Sequence, residues 1–155
     1  MSWLERELGA PTAWLGEMPE RSRYTYGLAG ERFFRALKDE GKILGARCPH
    51  CDVLYVPGRA FCERCLRRLD VWLDVGTRGQ VYTFTLLYED LDGRPRPEPE
   101  VVAFVRMGDG GIIHRLGEVT PDEVTIGMEV EALPRPAKER QGSILDISHF
   151  RPVRR

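Results

Sequence analysis

The sequence predicts a mainly β chain with N-terminal helices, in which a small four-cysteine ribbon of the rubredoxin-like kind precedes a five-stranded barrel of the OB-fold type. Three observations point there. All four cysteines fall between positions 48 and 65, in two Cys-x-x-Cys pairs. Ahead of them, apolar residues recur at helical spacing. Behind them come five strand-like segments broken by glycine and proline, with no long helix between them.

At 155 residues the chain has room for one compact domain or two small ones that share an interface. Hydrophobic residues make up 42% and charged ones 30%, and no apolar run approaches the roughly 18 residues of a membrane span. A soluble, cytoplasmic protein is expected. The N-terminal run Met1-Ser-Trp-Leu-Glu-Arg-Glu7 is acidic where a signal peptide needs a basic segment and an apolar stretch. A net charge of -1 gives no general attraction to polyanions.

Residues 1–43 form the first expected unit, a helical arm and a helix. The arm carries Trp3, Leu4, Leu8, Trp14 and Leu15 around Pro11, apolar residues that must bury themselves on the chain's own body or on a partner. From Leu28 to Glu40, Ala29, Phe33 and Leu37 recur at four-residue spacing beside Phe34, and Gly41 follows as the expected C-cap. Together with the arm, Phe33 and Phe34 look like surplus apolar surface suited to an interface.

The ribbon is expected over 44–70 and the barrel over 71–155. Val71, Trp72 and Leu73 lead to a turn at Gly76–Gly79, and the barrel strands follow. The first, Val81 to Tyr88, alternates so that Tyr82, Phe84, Leu86 and Tyr88 share one aromatic face. Such a face is normally core. Further strands are expected at Val101–Met107, Ile112–Leu116, Met128–Leu133 and Ile144–Phe150, and Glu89–Glu100, with Pro95, Pro97 and Pro99, as a stiff surface loop.

Cys48, Cys51, Cys62 and Cys65 are the candidate ligands. A two-residue gap folds each pair into a knuckle that aims both sulfurs at one ion, and two knuckles complete a tetrahedral thiolate site. One zinc per chain is expected, in preference to two disulfides, a redox pair or iron. Four thiolates leave no position for water or substrate, so the ion is structural. His50, inside the first knuckle, is read as exposed, and His114 and His149 as packed or surface residues; no catalytic residue is assigned.

The order of these features resembles the acyl-CoA-associated zinc-ribbon/OB-fold proteins, a bacterial and archaeal family long catalogued as a domain of unknown function. The likeness runs from about Tyr24 to Phe150. It rests on the helix with Phe33 and Phe34, the Cys-Pro-x-Cys and Cys-x-x-Cys knuckles with Pro57 and Arg59 between them, and Trp72 before Gly76 and Gly79. Gly79-Gln-Val-Tyr-Thr-Phe-Thr85, Pro99 ahead of Val101-Val-Ala-Phe-Val105, the Gly110-Gly111 turn and Gly127-Met128-x-Val130 continue it. The resemblance implies a non-catalytic accessory subunit of a thiolase-like or other acyl-CoA enzyme, forming a hetero-oligomer and helping to shape access for a CoA thioester at the partner interface.

Two other functions compete. Arg47, Arg59, Arg64, Arg67 and Arg68 around a ribbon bearing Asp52 and Glu63, with Tyr82, Phe84 and Tyr88 as stacking surfaces, suit a nucleic-acid-binding protein, which the net charge disfavours. The third is a free-standing acyl-CoA-binding protein. No nucleophile elbow, phosphate loop or zincin motif is visible.

Overall fold

The computed structural model describes residues 24–90 and 92–153. Helix α1 (Gly27–Glu40) leads to β1 (Leu44–Cys48), β2 (Val53–Tyr55) and β3 (Val71–Asp74). Then follow β4 (Arg78–Glu89), β5 (Pro95–Met107), β6 (Gly110–Arg115), β7 (Glu129–Pro134) and β8 (Ile147–Pro152). Short 3-10 turns lie at 121–123, 137–139 and 144–146. Among the described residues no helix is long and apolar enough to cross a membrane.

The three- and four-residue spacing of Phe33, Ala36 and Leu37 puts them on one face of α1, and all three are buried. The helix stops as expected. Gly41 takes φ 70°, its N–H bonds Leu37 O at 3.1 Å, and Lys42 N–H returns to Ala36 O at 3.2 Å. Phe33 is thus not spare surface: it belongs to the barrel core with Leu37, Ile43 and Phe150. Phe34 is half-buried, edge-on to Phe33 and Tyr26. The tryptophans and leucines of the arm, Trp3 to Leu15, lie outside the described residues.

Two antiparallel sheets divide the chain. Strands β2-β1-β3 form the ribbon sheet, and β6-β5-β4-β7-β8 form the barrel sheet. The barrel closes where Leu116 bridges Phe150 in parallel and Gly117 N–H bonds Phe150 O at 2.8 Å. Val81, Val105, Val130, Ile147 and Phe150 fill the interior. This is the expected mainly β arrangement, a zinc-ribbon-like module followed by an OB-fold.

The sheets share a tight seam. Asp109 N–H bonds Leu54 O at 3.2 Å, Gly111 N–H bonds Val56 O at 2.9 Å, and the Asp109 carboxylate accepts Leu54 N–H at 2.8 Å. Gly110 is required there, because a Cβ would stand 2.5 Å from Val56 O. The β5–β6 hairpin is thereby fixed relative to the ribbon sheet.

Three expectations need correction. The aromatic face of β4 is split: pairing with β5 shifts between Val81 and Thr83, so Val81 and then Phe84 and Leu86 turn inward, while Tyr82 and Tyr88 are exposed. The segment with Pro95, Pro97 and Pro99 is no loop but the start of β5, with Pro95 opposite Glu89. Prolines are tolerated because β6 pairs with β5 only from Val102 onward, leaving a free edge. Finally, Ile144–Asp146 is a 3-10 turn and the strand begins at Ile147. The Asp146 carboxylate accepts N–H bonds from Gln141, Gly142 and Ser143, which bends the chain away from strand geometry.

Candidate metal centre and its surroundings

The two knuckles are built alike. Asp52 N–H bonds Cys48 O at 2.8 Å, and Leu66 N–H bonds Cys62 O at 2.9 Å. The residue after each second cysteine is left-handed, Asp52 at φ 52° and Leu66 at φ 58°. An aspartate is an ordinary occupant of that region, whereas a γ-branched leucine is strained there. The matching turns aim both pairs inward, and the four Sγ atoms lie within 4.8 Å of one another.

That spacing fits zinc. A tetrahedron with Zn–S bonds of about 2.3 Å has S···S edges of about 3.8 Å, and Cys48 Sγ lies 3.6 Å from Cys65 Sγ. Cys51 N–H also points at Cys48 Sγ, 3.4 Å away. Cys48 and Cys62 are buried, Cys51 and Cys65 partly so, and none forms a disulfide. When bound, the ion supplies a cross-link between the knuckles.

The surroundings favour charge at one sulfur. Tyr55 donates its hydroxyl to Cys62 Sγ at 3.3 Å and itself accepts Glu63 N–H at 3.1 Å. That bond holds the Cys62 thiol down at about 6, while burial and the neighbouring sulfurs push Cys51 up to about 12. A dication bound among the four sulfurs would favour their thiolate forms together. His50 is exposed, with Nδ1 3.6 Å from Cys51 Sγ and no place in the sulfur cluster.

The arginines around the ribbon are mostly committed locally. Arg47 pairs with Asp52 at 3.2 Å, Arg68 with Asp70 at 3.1 Å, and Arg59 with Glu63 while also lying over the Tyr55 ring. Arg64 and Arg67 make no ion pair among the described residues. His114 is buried against Phe150, with Nε2 lacking a hydrogen-bond partner, and His149 contacts Glu118 and Ser148.

Two surfaces take their full form only in the structure. Between α1 and the ribbon, Leu28, Ala29, Ala60, Phe61, Leu69 and Trp72 line a groove of about 240 Å³. Arg32 sits 4.7 Å over the Trp72 ring at its rim. Gly58 makes the seat for Trp72, since a Cβ there would come within 2.3 Å of the ring. The second is the outer face of the barrel, where exposed Tyr82 packs edge-on to Phe104, Arg106 lies 5.1 Å over Tyr82, and Ile113 is exposed opposite Phe104. The period-two pattern of the sequence pointed to Tyr82, but Phe104, Arg106 and Ile113 beside it, and the whole of the groove, depend on long-range packing that no periodic signal carries.

Comparison with known proteins agrees with this architecture. Residues 35–71 match the model described as ChsH2, rubredoxin-like zinc ribbon domain, and residues 72–133 the model described as ChsH2, C-terminal OB-fold domain. A DUF35 domain-containing scaffold protein of Methanocaldococcus jannaschii is 30% identical over 126 residues, covering 79% of this chain and 89% of that protein. A protein of the same description from Pyrococcus furiosus is 29% identical over 125 residues, covering 79% and 91%. Among solved structures, a DUF35 protein of unknown function from Sulfolobus solfataricus superposes with a TM-score of 0.60 at 25% identity, covering 82% of this chain and 83% of that one. A chain of the Ltp2-ChsH2(DUF35) aldolase gives a TM-score of 0.60 at 25% identity, covering 84% and 98%. With a ribbon and a barrel that match in order over most of its length, the chain belongs to the DUF35 family of ChsH2-type zinc-ribbon/OB-fold proteins.

Proposed function

We propose that Cys48, Cys51, Cys62 and Cys65 bind one structural zinc, and that the chain is a non-catalytic accessory subunit docking on an acyl-CoA enzyme of thiolase-like type and helping to shape access for its CoA thioester. The observation that carries this is a division of the surface. The cluster of four thiols is closed to substrate, while apolar side chains with no role in the chain's own core stand exposed around the ribbon, among them Leu28 and Phe61. Exposed apolar surface of this kind marks interfaces. The names of the archaeal relatives as scaffold proteins and the aldolase assembly of the solved neighbour support the same role.

The test is co-purification of the tagged, full-length chain from its native cell, followed by reconstitution with the acyl-CoA enzyme so identified. A stable hetero-oligomer whose turnover exceeds that of the enzyme alone is the expected result. Tight binding of acyl-CoA, or turnover, by the purified chain on its own would overturn the accessory role.

One observation favours a second reading. The Tyr82, Phe104 and Arg106 platform on the barrel's outer face has the aromatic and cationic character of a single-strand binding surface. A gel shift with a random oligonucleotide decides it, because nucleic-acid binding must strengthen as salt falls.

A further inference from the structure

The groove between α1 and the ribbon has the properties of an anchor pocket. Its walls are mostly apolar: Leu28 and Ala29 from the first turn of the helix, Ala60, Phe61 and Leu69 from the ribbon, and Trp72, with Arg32 and the paired Arg68 and Asp70 as the charged part of the lining. Leu28 is 82% exposed and Phe61 59%, so solvent covers apolar groups that a folded chain would ordinarily bury. A volume of about 240 Å³ is ample for one large side chain, since cavities of about 150 Å³ hold a benzene-sized ring. Trp72 is fixed by its own indole N–H bond to Leu69 O at 3.2 Å and by Gly58 beneath it. The wall is therefore preformed, and little side-chain entropy is lost when it is covered.

Charge identifies what surrounds the anchor. Arg32, at the rim, has no carboxylate partner among the described residues and lies over Trp72. The groove's other charges, Arg68 and Asp70, neutralise each other, which leaves Arg32 as its one uncompensated charge among the described residues; elsewhere on the ribbon Arg64 and Arg67 also make no ion pair among the described residues. The geometry points to this groove as the site that receives an apolar side chain flanked by carboxylates, presented by the acyl-CoA enzyme subunit. The inference rests on the accessory-subunit reading and names the surface through which it works. An aromatic wall beside an arginine suits an interface centre, where a few fully desolvated anchors carry most of the energy. A polyanion would instead need an open cationic face, and this floor is alanine and leucine.

The experiment measures affinity between the full-length chain and the purified acyl-CoA enzyme that co-purifies with it, by isothermal titration at two salt concentrations. Leu28→Asp and Phe61→Asp replace exposed side chains, so the chain still folds and holds zinc, which circular dichroism and metal analysis check. Each is expected to weaken assembly at least about tenfold. Arg32→Gln is expected to weaken it less and to flatten its salt dependence, because the carboxylates of the partner lose their nearest cation. Ile113→Asp, on the barrel's outer face, is expected to leave affinity unchanged. Full-affinity assembly of both Leu28→Asp and Phe61→Asp overturns the inference while leaving the accessory role intact. So does loss of assembly in Ile113→Asp alone. If Trp14→Asp tightens assembly in the full-length chain, the groove is filled by the chain's own N-terminal segment, and the inference fails. If Leu28→Asp merely separates self-associated copies, a second copy of the chain is the occupant, and it fails again. Failure of the unaltered chain to bind any acyl-CoA enzyme defeats the accessory-subunit reading itself, and the inference with it.

Discussion

The ribbon and the barrel solve the same problem with different materials. The barrel interior is packed with branched aliphatics and Phe33 and Phe150, contributed by the helix and the strands together. The ribbon's buried cluster is Ala46, Cys48, Val53, Tyr55, Cys62 and Leu69, so two of its six members are cysteines of the sulfur group. A cluster that small does not repay the conformational entropy of its own loops, whereas metal ligation in comparable modules contributes on the order of 10 to 16 kcal/mol of apparent free energy. Stability on the barrel side of the Leu54–Gly111 seam comes from apolar packing, and on the ribbon side it is expected to come from the metal that the four thiols would bind.

The largest effect tests that division directly. Stripping zinc with a strong chelator is expected to unfold the ribbon and leave the barrel: by hydrogen exchange, Cys51 and Cys65 amides lose protection while Val105 and Val130 keep theirs. Equal protection on both sides before and after chelation would show that the ribbon does not rely on metal. Phe150→Ala works from the opposite side. Truncating a fully buried ring that also takes part in barrel closure is expected to cost about 3–5 kcal/mol in denaturant unfolding, with one zinc per chain retained in the folded protein.

Gly110→Ala strikes the seam between the two regions. Its methyl group would meet the Val56 backbone, and a loss of about 1–3 kcal/mol is expected, shared by both regions rather than confined to one. Separate melting of ribbon and barrel in this variant would show that the seam is what couples them.

A smaller effect belongs to the barrel. Burial holds the His114 imidazole below its usual value, so the unfolded chain binds more protons than the folded one as pH falls through about 6.5. Stability is therefore full at neutral pH and declines on acidification. His114→Phe is expected to make the fall in Tm between pH 7 and 5.5 shallower, without altering zinc content. The smallest effect lies in the second knuckle. Leu66, left-handed and exposed, is replaced by asparagine at no packing cost, and Leu66→Asn is expected to stabilise the protein by up to about 1 kcal/mol, read as a rise in Tm. A fall would show that Leu66 is buried by something beyond the chain.

Local order was written in the sequence, and relations between distant segments were not. Cys-x-x-Cys spacing alone announced the sulfur cluster, because a knuckle is made by consecutive residues. Helix α1 and its Gly41 cap were legible for the same reason, as was the existence of each barrel strand. That Phe33 is core came from packing, since the buried cluster it joins includes Ile147 and Phe150, more than a hundred positions away. The tertiary structure decided the shift at Tyr82 that splits the aromatic face of β4, because register depends on the partner strand. It decided that prolines 95, 97 and 99 enter a strand, because tolerance for a missing N–H depends on whether a neighbour is there to need it. The groove beside Trp72 is the extreme case: its walls come from two segments of the sequence that share no pattern, and only packing brings them face to face.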